Sequence, residues 1–72
     1  DVELYCSTLS PGDNVVHHIA TGRSVWIQLA SGKIEVNKIQ ISDGDGAAVA
    51  REPLVEIKTI GESELLLFDL IQ

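Results

Sequence analysis

Seventy-two residues, 44% of them apolar, suffice for one small core and exclude a multidomain enzyme. A formal charge of -6, from 5 Lys plus Arg against 11 Asp plus Glu, argues against nucleic acid and anionic membrane surfaces as partners. No apolar run approaches the ~20 residues of a membrane helix, residues 1–8 lack the basic-then-apolar pattern of a signal peptide, and a single cysteine, Cys6, fits a reducing, cytoplasmic setting without an intrachain disulfide. The chain begins at Asp1 and contains no Met, as expected of a processed product, an excised domain or the ordered part of a longer chain.

Of 23 Val, Ile and Leu residues, 15 are β-branched, which suits pleated strands better than helices. Turn signals at Pro11-Gly12-Asp13, Thr21-Gly22, Ser31-Gly32, Asn37-Lys38, Ser42-Asp43-Gly44-Asp45-Gly46, Glu52-Pro53 and Gly61-Glu62-Ser63 cut the chain into short pieces. The fold class is therefore all-β, a sandwich or barrel. Strands are expected near 2–8, 14–20, 24–30, 33–36, 39–41, 46–50, 54–60 and 64–71.

The first strand carries Cys6, which has no basic neighbour in the sequence to activate it and is read as a buried, inert thiol. The second offers two similar faces, Val16, His18 and Ala20 against Val15, His17 and Ile19. Adjacent strand residues point to opposite sides, so His17 and His18 cannot share a metal from one regular strand. In the third strand Val25, Ile27 and Leu29 share one face, with Trp26 and Gln28 between them. Trp26 reads as an interface anchor, and nearby Arg23 could stack on it or clamp a carboxylate ligand. The acidic loop Asp43-Gly44-Asp45-Gly46 lacks the downstream Glu of a calcium loop and reads as a turn with two glycines at positive φ. No Gly-x-Ser-x-Gly elbow surrounds any serine, so a hydrolase triad has no support. The last strand, Leu65-Leu66-Leu67-Phe68-Asp69-Leu70-Ile71, is apolar on both faces. Either it lies between two layers of its own fold, or one face meets another domain or subunit.

The segment from Ser10 to Gly46 together with the late Leu-Leu-Leu-Phe-Asp strand resembles the cupin superfamily. Nearly the whole chain is similar to the C-terminal cupin domain of pirin-like bicupins, the group that includes bacterial quercetin 2,3-dioxygenases. The resemblance rests on Asp1-Val2-Glu3-Leu4-Tyr5, Arg23-Ser24-Val25-Trp26-Ile27-Gln28, Ser31-Gly32-Lys33-Ile34-Glu35-Val36-Asn37, Asp43-Gly44-Asp45-Gly46-Ala47 and Glu64-Leu65-Leu66-Leu67-Phe68-Asp69-Leu70. It implies a small jelly-roll-like cupin barrel over residues 1–72. In the first cupin motif Gly12, His18 and Gly32 fall in register, but the second His position is Ala20 and the Glu position is Val25. The second motif places its His near Val55. One imidazole among Ala20, Val25 and Val55 cannot hold the metal of an active cupin. That departure agrees with the resemblance, since in pirin-like bicupins the N-terminal half carries the metal.

The expected function is thus a non-catalytic module of structure and oligomerisation, with no catalytic residue, metal or cofactor of its own. Its interface would include Val15, Ile19, Trp26, Leu66 and Phe68, meeting a second cupin domain or a copy of itself in a homodimer. An alternative is a small apolar ligand in a barrel interior lined by Val16, His18, Ala20, Val25, Ile27 and Val55. A third is residual dioxygenase activity on flavonoid-like aromatics, which needs His18 to recruit donors from a neighbouring chain.

Overall fold

The computed structural model describes residues 2–71; Asp1 and Gln72, and with them the ends of the expected 1–72 unit, lie outside the described residues. Eight strands follow one another: β1 (Val2–Leu9), β2 (Asn14–His18), β3 (Arg23–Ser31), β4 (Lys33–Val36), β5 (Ile39–Ser42), β6 (Gly46–Ala50), β7 (Leu54–Thr59) and β8 (Ser63–Ile71). Each matches one expected piece, and the differences are confined to the ends. The largest is in β2, which stops at His18: the Ile19 amide still donates in register to the Pro53 carbonyl at 2.9 Å, but Pro53 has no N–H to return the bond and the ladder ends there.

Two four-stranded antiparallel sheets result. Sheet I has the order β1-β8-β3-β6 and sheet II the order β2-β7-β4-β5. The non-sequential order reflects strands that cross between layers, the jelly-roll solution to closing a small sandwich. Alternation then dictates the core. Val25, Ile27 and Leu29 of β3, with Leu65 and Leu67 of β8, face Ile34 and Val36 of β4, with Val55 and Ile57 of β7. Fully burying one such aliphatic side chain is worth about 1.5–3 kcal/mol, so these rows are the main source of stability in a chain without a disulfide.

The turns supply register. Asn37 and Lys38 both adopt positive φ (46° and 72°) in the two-residue β4–β5 connection, the conformation that matches the strands' right-handed twist. Asn37 also ties this hairpin to β7, its Oδ1 accepting from the Glu56 amide at 2.7 Å. In the acidic loop only Gly44 has the expected positive φ, 82°. Gly46 instead begins β6, and a Cβ there would collide with the Trp26 indole. Its glycine is selected by a close approach of ring to backbone, not by backbone handedness. The two loop carboxylates cap amides: Asp43 accepts from Gly32 N at 2.6 Å and Asp45 from Ser42 N at 3.0 Å.

Candidate functional site

The inward alternation of β2 places Val15 opposite Ile57 and His17 opposite Val55. Ile19 beyond the strand is 8% exposed and joins the core. Val16, His18 and Ala20 are exposed, so the expected interior lining is corrected: of its six residues, Val25, Ile27 and Val55 are buried and the other three are not. Both faces of β2 carry a Val and a His, so its own pattern could not choose between them. The apolar neighbours of Val15 and Ile19 made the choice.

His17 enters a polar cluster inside the sandwich. Its Nε2 lies 2.8 Å from Oδ2 of Asp69 on β8, a bond from sheet II to sheet I. Arg23 of β3 donates through Nε to Asp69 Oδ1 at 2.5 Å and through Nη2 to the Asp69 carbonyl at 3.0 Å. The Glu3 carboxylate stands 4.0 Å from the same guanidinium, and the Tyr5 ring packs against His17 with centroids 5.4 Å apart. Burial pushes the Asp69 carboxyl up, yet the hydrogen bonds from Arg23 and His17, aided by their charges, outweigh it and hold its pKa below the ordinary carboxylate value. The hydrogen bond to Asp69 is the largest influence on Arg23, whose pKa is raised against the opposing effect of desolvation. Arg23 therefore clamps a carboxylate of its own chain, and it points away from Trp26, which alternation puts on the opposite side of β3. An anionic Asp69 only accepts, so His17 Nε2 is the donor in this bond, and whenever the imidazole is neutral Nδ1 keeps the lone pair. Asp69 escaped the sequence reading, although its parity with Leu65 and Leu67 marked it as inward.

The positions that the cupin resemblance assigns to metal donors do not converge as a donor set. Val25 and Val55 are buried aliphatics of the core, Ala20 is exposed, and His18 projects from the outer face of sheet II opposite Leu54. Among the described residues no three His, Cys, Asp or Glu side chains are grouped to hold a metal ion. Aliphatic side chains offer no lone pair, so these residues do not fit a metal ion.

The outer face of sheet I is the other unusual region. Register aligns Leu4 with Phe68 and Cys6 with Leu66 across β1–β8, Trp26 with Phe68 across β3–β8, and Trp26 with Ala48 across β3–β6. A shallow groove of about 370 Å³ runs between Trp26, Gln28, Leu66, Phe68 and Leu70. Trp26 is 39% exposed and Leu4 54%. Of the expected interface residues, Trp26, Leu66 and Phe68 share this face. Val15 and Ile19 face inward and are corrected to core-edge and core positions, respectively. Cys6 is also corrected: it is exposed on this face, not buried.

With this geometry in view, comparison with known proteins gives a consistent result. Residues 1–70 match the family described as the quercetinase C-terminal cupin domain. A quercetin 2,3-dioxygenase of Escherichia coli (strain K12) is 41% identical over 70 residues, covering 97% of this chain and 30% of that protein. The crystal structure of the bacterial pirin YhhW from Escherichia coli in complex with nickel(II) superposes with a TM-score of 0.96 at 41% identity, over 99% of this chain and 31% of that one. A cupin protein from Bacteroides fragilis, at 20% identity over 97% of this chain and 65% of its own, shares the fold with a TM-score of 0.77. The chain thus spans about 30% of the length of the Escherichia coli relatives it matches.

Proposed function

The chain belongs to the family of quercetinase C-terminal cupin domains, and we propose that it is a metal-free, non-catalytic member that works in structure and assembly. The outer face of sheet I docks on the equally apolar face of a second cupin domain, which for this chain alone in solution is a second copy of itself. The observation that carries this reading is the continuous apolar row Leu4, Phe68 and Trp26 across three adjacent strands, extended by Leu66 and Leu70. Strands about 4.8 Å apart and rising about 3.3 Å per residue give such a face an area on the order of 400 Å², the size at which an apolar patch marks an interaction site. Trp and Phe at its centre are the residue types that anchor interfaces. The length of the relatives, about three times the matched segment, supports a second domain as the natural occupant. The exposed Cys6 thiol on the same face is in keeping with a reducing compartment such as the cytoplasm.

Dioxygenase chemistry belongs in this reading to the relatives that bear the name. The support for this is that Val25 and Val55, to which the cupin resemblance assigns donor positions, are buried aliphatics, while His18 is exposed on the outer face of sheet II. Sedimentation equilibrium and Trp26 emission, measured from micromolar to roughly 100 μM, test the assembly. Association with a blue-shifted indole is expected. A monomer across that range with water-exposed emission overturns the reading. Retention of one tight equivalent of nickel, iron, manganese or zinc would overturn its metal-free part.

A further inference from the structure

β1 and β2 are both edge strands, one in each sheet, and the contact of Tyr5 with His17 puts them on the same side of the sandwich. Between them opens a cleft of about 140 Å³ whose walls include Leu9, Val15, Ile57 and Leu67. Its polar lining comes from Tyr5, Ser7 and His17. A cavity of roughly 150 Å³ walled by aliphatic side chains accepts one benzene-sized ring. Three features narrow the ligand further. The charges nearest the cleft are mutually satisfied, Asp69 by Arg23 and His17, and Arg23 by Asp69 and Glu3, so a charged ligand finds no partner and would lose its hydration. The tilted Tyr5 and His17 rings, 59° between planes, form a wall suited to the edge of another ring. The Asp69 bond fixes the imidazole with a proton on Nε2, and in the neutral ring this leaves Nδ1 as an acceptor, which an apolar cleft rewards with a donor.

We propose that the β1–β2 cleft binds a small, neutral, hydroxyl-bearing compound of a single aromatic ring, its ring against Val15 and Leu67 and its hydroxyl donating to Nδ1 of His17. The site is separate from the apolar outer face of sheet I and independent of the assembly reading. It replaces the interior pocket expected from the sequence, whose position is filled by the core.

Phenol is the probe, with anisole and benzene as controls, each titrated into the isotopically labelled chain and followed by NMR. Saturable shifts at Ser7, Val15, His17 and Leu67 are expected, with millimolar affinity fitting so small a ligand. Anisole and benzene should bind about fivefold or more weakly, the worth of one hydrogen bond. His17→Leu should abolish the preference for phenol. Val15→Phe should fill the cleft and abolish binding while leaving the His17–Asp69 bond intact, so the site remains testable if the first variant fails to fold. Equal affinity for phenol and benzene overturns the proposal, as do absent shifts up to the solubility limit. Shifts confined to Trp26 and Phe68 place phenol on the sheet face and overturn it as well.

Discussion

The outer faces of the two sheets have the same number of strands and the same antiparallel pairing, yet they are written in different chemistry. On sheet II, Asn14, Val16 and His18 of β2 lie opposite Lys58, Glu56 and Leu54 of β7, and Glu35 lies opposite Gln40. On sheet I the corresponding positions are Leu4, Trp26, Leu66, Phe68 and Leu70. Strand alternation sends every second side chain outward in both, but it yields polar residues only where water is the final neighbour. The difference teaches that strand alternation sets which side chains point outward but not their chemistry, and it is this contrast that the proposed assembly explains.

Both faces depend on two sheets locked to each other, and the largest predicted effect comes from breaking that lock. Asp69→Asn removes the charge that holds both Arg23 and His17 and is expected to cost about 2–3 kcal/mol in urea unfolding at neutral pH. The pH dependence has a definite sign. Because the folded pKa of Asp69 is depressed, its contribution is complete above the unfolded value near 3.9 and is lost as pH falls below that through the folded pKa. Wild type should therefore lose more stability than Asp69→Asn on acidification below about pH 4. Parallel losses would remove Asp69 from the account.

A matched pair of substitutions tests the faces against each other. Phe68→Lys should weaken association by about thirtyfold, or roughly 2 kcal/mol at a central aromatic anchor. Val16→Lys, on a residue 48% exposed opposite Glu56, should leave association unchanged and stability within about 0.5 kcal/mol. Sedimentation of both variants decides it, and equal effects would erase the distinction between the faces. The smallest effect is expected from His18→Ala, which removes an exposed imidazole from sheet II. Stability should move by less than about 0.5 kcal/mol, and metal uptake measured by elemental analysis should not change.

Much of the fold was legible because turn residues and β-branched runs are local signals. The eight pieces between Pro, Gly and Asn-rich breaks became the eight strands. The inward face of a strand is not a local signal when both of its faces carry similar residues. The faces of β2 are almost equivalent in composition, and a one-residue choice of parity moved Val16 and His18 from the expected interior to the surface. Asp69 shows the reverse case, a charge in an apolar strand whose inward parity was visible but whose partners, Arg23 and His17, are 46 and 52 residues away. Trp26, expected from the sequence as an interface anchor, is exposed on the outer face of β3. That Gly46 exists to admit its ring was not legible, because the contact joins two strands.

By itself the amino-acid sequence determined the strand count, the core row Val25, Ile27 and Leu29, the surplus apolar face of the last strand and the likeness to a cupin. These depend on interactions within a few residues and on period-two alternation. Tertiary structure alone decided which histidine turns inward, which carboxylate meets it and where a cleft opens. Those outcomes follow from the pairing of distant strands and from the packing of one sheet on the other, where burial of Val15 and Ile19 outweighs any preference that β2 carries on its own.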